Sequence, residues 1–125
     1  MKKLVYIVLV IAAISLAINL LANRASQDKD LAQKINSLVE NGETQINLTE
    51  ITDFNWTQAA IFGPYTTNEE IEESMGIKFK GDNGHIDVLD HRSLLVFANE
   101  KYAVRTVVTT GAYAIKDNKF LIVKQ

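Results

Sequence analysis

Apolar residues follow three different rhythms along this chain, and each predicts a different element. From Leu4 to Ala22 they are almost continuous, nineteen residues without a charge and with only Ser15 and Asn19 clearly polar. As a helix this run would cover roughly 28 Å, close to the hydrocarbon thickness of a bilayer, so it predicts a membrane-spanning helix. Beyond it the rhythm becomes helical, with Leu31, Ile35, Leu38 and Val39 forming one stripe at a period near 3.6. The stripe predicts an amphipathic helix over Ser26 to Val39, and Asn41-Gly42 supplies the stop.

After Gly42 the rhythm shortens to two. Ile46 and Leu48 alternate within Thr44 to Ile51, and Trp56 to Phe62 reads as a second strand ended by Gly63-Pro64. Thr66 and Thr67 each precede a glutamate by three residues, a doubled capping box opening a helix over Asn68 to Met75. Ile71 and Met75 share a face of that helix, and Gly76 closes it. His85 to Leu89 alternates with Ile86 and Val88 on one side. Leu94–Phe97 pairs with Tyr102–Val108 across 98–101, and Ala112–Ile115 pairs with Phe120–Val123 across 116–119. The expected fold class is α+β: a single small domain with a mostly antiparallel sheet of about five to seven strands, one or two helices against it, and the transmembrane helix in front. The expected organisation is an anchor over 1–25, a stalk helix over 26–42 (or a helix packed on the domain), and an extracytoplasmic domain over 43–125.

Charge orients the first segment. Lys2 and Lys3 precede it and only Arg24 follows closely, which places the N-terminus in the cytoplasm and the remainder outside, in a single-pass topology. The competing expectation is a cleaved signal peptide and a secreted product. Cutting after Ala17 puts Ser15 at −3, but Ile18, Leu20 and Leu21 then extend the apolar run past the cut. Cuts after Ala22 or Ala25 put Leu20 or Asn23 at that position.

Composition narrows the partners. Cysteine is absent, which removes disulfides, thiolate chemistry and cysteine-ligated zinc, and leans toward a bacterial source. The sequons at Asn47 and Asn55 are accordingly expected to carry no sugar. Net charge is −2; with Lys2 and Lys3 set aside, eleven basic residues face fifteen acidic ones. A domain of that sign, with its basic residues scattered singly, is a poor match for nucleic acid or an anionic surface.

Phe54-Asn55-Trp56, Ile61-Phe62-Gly63-Pro64-Tyr65 and Met75-Gly76-Ile77 together resemble a pattern in small, N-terminally anchored or exported bacterial proteins. There a tryptophan, a phenylalanine and a Pro-Tyr pair lead into a short acidic helix ending in glycine. The resemblance covers Asp53 to Phe79 and implies a cell-envelope location and this fold, with no activity attached. Thr57 stands where that pattern has an aspartate, so any role of that carboxylate does not carry over.

Three constellations bear chemistry. His85, Asp87 and His91, with Asp90 beside them, have donor types suited to a divalent ion, since His85 and Asp87 would project from one face of a strand. The competing expectation is a solvated turn at Asp82-Asn83-Gly84. Ser74 and Ser93 lack the glycine-flanked setting of a nucleophile, and Glu69, Glu70, Glu72 and Glu73 read as a solvated helix face. Phe54, Trp56 and Phe62 are expected on one strand face beneath the capped helix, while Tyr65 reaches solvent beside Pro64. These residues predict a non-enzymatic, membrane-anchored envelope protein without a cofactor. Its domain would bind a protein partner through a sheet edge or the Tyr65, Pro64 and Trp56 region. The alternative is a metal-binding or metal-sensing domain using His85, Asp87 and His91.

Overall fold

The computed structural model of the protein describes the backbone of residues 2–21 and 24–124, and the side chains of 2–16 and 24–124. The first element is a helix, α1 (Lys2–Leu21). Among the described residues, however, no helix is long and apolar enough to cross a membrane. Ala22 and the side chains from Ala17 onward, which completed the expected span, lie outside the described residues. With no such helix among the described residues, the expectation of a transmembrane helix or signal anchor is overturned. The single-pass topology, the outside location and the membrane as partner of residues 4–22 rested on that span and go with it.

The folded part begins at Ala25. β1 (Ser26–Gln27) pairs in parallel with β5 (Ala103–Thr109), and Asp28 then caps α2 (Lys29–Glu40) by accepting the Leu31 N–H at 2.9 Å. The helix thus starts three residues later than the stripe predicts, because Ser26 and Gln27 are claimed by a strand distant in sequence. Nor is α2 a stalk. Leu31 and Ile35 are buried among Ile46, Leu48, Leu95, Phe97, Val107 and Leu121.

Next come β2 (Gln45–Asn47) and a single helical turn, α3 (Leu48–Ile51). The expected strand over 44–51 is cut short because the Asn47 side chain accepts the Thr49 N–H and hydroxyl. β3 (Gln58–Phe62) follows, ending at Gly63-Pro64 as expected. α4 (Asn68–Met75) matches the sequence reading at both ends. Thr67 Oγ1 accepts the Glu70 N–H, and Gly76 takes the left-handed conformation at φ 67°. β4 (Ser93–Ala98) and β5 form one hairpin; β6 (Tyr113–Lys116) and β7 (Phe120–Val123) form the other.

The strands make two sheets, β1-β5-β4-β3 and β2-β7-β6. β4 is central and buried on both faces. Leu94, Val96 and Ala98 face Ile71 and Met75 of α4 together with Ile77, Phe79 and Ile86. Leu95 and Phe97 face α2 and the second sheet. The expected aromatic face does not form: Phe62 packs on the α4 side, whereas Phe54 and Trp56 pack on the α2 side. Regular pairing of β3 begins only at Gln58, so counting in twos from Trp56 to Phe62 crosses an irregular step.

The two sheets meet where β3 adjoins β6. Asn118, left-handed at φ 59° in the 116–119 turn, joins them. Its Oδ1 accepts the Ala59 N–H at 2.9 Å and its Nδ2 donates to the Thr57 carbonyl at 2.8 Å. An amide side chain here completes the hydrogen bonds that a neighbouring strand would have made, and so covers the start of an otherwise open sheet edge. Glycine tolerates the same φ, so Asn118→Gly isolates these bonds. It should lower unfolding stability by about 1 to 2 kcal/mol in urea titration.

Candidate functional site

The segments 63–66 and 82–92 meet at one end of the sheet. Asp82 Oδ1 accepts the Gly84 N–H at 2.7 Å and Asn83 Oδ1 accepts the His85 N–H at 2.9 Å, two successive Asx turns. These turns carry the chain through positive φ at both Gly84 (64°) and His85 (60°). A side chain at Gly84 would strike Val108 Cγ2 at 2.4 Å, so the turn sits directly on β5. Ile86 is fully buried and pins the loop into the α4-side core. Asn83 Nδ2 donates to Asn68 Oδ1 at 2.8 Å, tying the loop to the first residue of α4. Arg92 Nη1 donates to the Gly84 carbonyl at 3.1 Å.

The expected strand over His85–Leu89 is therefore a turn. The Val88 and Leu89 N–H groups both donate back to the His85 carbonyl. Ile86 and Val88 do not share a face: the first is buried and the second is 66% exposed. The proposed ion site loses its geometric basis with the strand. His91 Nε2 lies 3.0 Å from Asp90 Oδ1 on exposed surface. His85 and Asp87 are also exposed, and among the described residues no three His, Cys, Asp or Glu side chains are grouped so as to hold an ion.

Tyr65 comes to this loop from the other side. Its N–H donates to the Ile86 carbonyl, its φ is 64°, and its side chain is 60% exposed beside the exposed Pro64. A left-handed tyrosine is costly, by roughly 1 to 2 kcal/mol, and persists because that hydrogen bond and the capped start of α4 hold it on either side. Outside α1, the exposed large apolar side chains among the described residues are Tyr65, Val88 and Leu89. All three belong to these two joined segments. Exposed Asp87 and Asp90 flank Val88 and Leu89 in the chain, and residues 63–92 carry seven acidic side chains against three basic ones.

The structure thus brings Pro64 and Tyr65 together with the His85–His91 segment, two groups that the sequence pattern assigns to different sites. It separates both from Trp56, which lies beyond the opposite end of β3, a strand about 17 Å long. Val88 and Leu89 were missed as surface residues because alternation around Ile86 assigned them to a strand. The only local signal against that assignment was Asp82-Asn83-Gly84. No family model matches the chain, and comparison with curated proteins and with solved structures finds no similar one.

Proposed function

We propose that this domain is a non-enzymatic binding module whose Tyr65–Val88–Leu89 apex docks a protein partner. The observation that carries this reading is the convergence of these three exposed apolar side chains on one pair of hydrogen-bonded loops. Tyrosine supplies large contact area at low entropic cost, and exposed apolar groups ringed by polar ones are a signature of contact surfaces. The strained backbone at Tyr65 and His85 is of the kind that concentrates at functional loops. The acidic border selects a partner whose apolar contact is flanked by lysine or arginine.

Tyr65→Gly tests this reading, because glycine relieves the positive φ while removing the anchor. Unfolding stability should stay level or rise by up to about 1 kcal/mol. A photo-crosslinking residue at Val88 should form a discrete adduct in cells, and the adduct should be lost in the Tyr65→Gly chain. Equal labelling from Val88 and from a residue far from the apex, such as Lys116, would refute the reading.

A further inference from the structure

Away from the apex, a shallow groove of about 500 Å³ opens beside the 52–57 segment and the turn after β4. Thr49, Thr52, Thr57, Asn55 and Asn99 line it with Phe54 and Trp56, and among the described residues no charged one does. In a chain with 22% charged residues, a recess walled only by neutral hydrogen-bonding groups and aromatic rings has a distinct chemistry. We propose that this groove binds a neutral saccharide.

The tryptophan is already set in place. Its Nε1–H donates to Thr52 Oγ1 at 2.9 Å, so its polar atom is satisfied within the domain. Its ring meets Phe97 at 5.1 Å and 67°, a steep contact rather than a parallel stack. Phe54, which also lines the groove, is wedged against Phe97 at 5.3 Å and under the Arg105 guanidinium at 4.4 Å. The aromatic floor therefore loses little freedom when a ligand arrives.

Asn99 Oδ1 accepts the Lys101 and Tyr102 N–H groups at 2.8 and 2.7 Å, which leaves its NH₂ group as the donor it offers to a ligand. The Thr49, Thr52 and Thr57 hydroxyls already donate to Asn47 Oδ1, the Leu48 carbonyl and the Ala98 carbonyl, so toward a ligand they accept, whereas the Asn55 amide both donates and accepts. Such a set matches the mixed donor and acceptor character of sugar hydroxyls or an acetamido group. The apolar C–H face of a pyranose ring is the natural cover for an indole. Anionic or cationic ligands find no compensating charge among the lining residues. The volume lies within the range of small-molecule sites, about 300 to 1,000 Å³.

Trp56 is the single tryptophan of the chain, so intrinsic indole fluorescence reports on this groove alone. The full-length chain, held in a detergent without a sugar headgroup because α1 exposes apolar side chains, would be titrated with chitotetraose and, separately, with cellotetraose. A saturable change in Trp56 emission at millimolar or lower concentration with either probe is the expected result. Asn55 is exposed at the rim, so Asn55→Ala should weaken binding about fivefold or more while leaving the unfolding midpoint unchanged. No emission change with either probe up to about 10 mM, a range that still detects very weak sites, overturns the proposal. Binding unaffected by Asn55→Ala, or tighter binding of polygalacturonate than of both neutral probes, overturns it equally.

Discussion

A chain cut to residues 43–125 will not fold, whereas residues 24–125 will unfold cooperatively in urea. The segment lost in the shorter chain contributes Ala25 to one core, and Leu31 and Ile35 to the other. Truncating a buried leucine or isoleucine costs about 2 to 5 kcal/mol, and removing the whole helix also bares the faces of Leu95 and Val107. β1 takes with it the parallel pairing of Ser26 with Arg105 and of Gln27 with Thr106. Asp28 is lost as well. One of its oxygens caps α2, and the other accepts from Arg105 Nη1 at 2.8 Å with only 16% of the aspartate side chain exposed. Domains of about this size are stable by roughly 5 to 15 kcal/mol, so the combined loss is comparable with everything available. Far-UV circular dichroism and urea titration of the two fragments would decide the matter. Equal midpoints would show that α2 sits on a core complete without it.

Gly81→Ala should destabilise the protein by about 3 kcal/mol or more, the range for strain that the surroundings cannot relax. The backbone at 80–82 lies against Ala25, whose N–H donates to the Lys80 carbonyl at 2.6 Å. A Cβ at Gly81 would stand 2.1 Å from the Ala25 carbonyl oxygen and 2.9 Å from its nitrogen, at φ 122°. Both atoms belong to backbone that leads directly into β1, so neither can swing aside as a flexible side chain would. Gly76→Ala is the matched control. It shares a positive φ of 67° but meets nothing within 4 Å, so it should cost only about 1 kcal/mol. Comparable urea midpoints for the two variants would mean that 80–82 does not pack on Ala25 in solution.

Both predictions depend on contacts between residues far apart in the chain, and this marks the limit of what the sequence could show about the site. Tyr65 was legible as an exposed residue because Pro64 before it and the capped helix after it are local signals. Its partners were not. The bond from its N–H to the Ile86 carbonyl spans some twenty residues, and no periodicity encodes it. Alternation puts Val88 on one strand face with Ile86, whereas two Asx turns and a left-handed His85 break the alternation first.

By itself the sequence determined α4, its Thr67 cap, its Gly76 stop and its Ile71–Met75 face, and it determined the two hairpins. In each case the interacting groups lie within a few residues, so local propensity and turn chemistry suffice. Only the tertiary structure decided that Ser26 and Gln27 form a strand and that α2 belongs to the core. It also decided that Trp56 and Phe62 face opposite layers and that Asn118 covers the edge of β3. In these cases a backbone or aromatic group is satisfied by a partner dozens of residues away. A hydrophobic pattern records that a residue must be buried, but not against what.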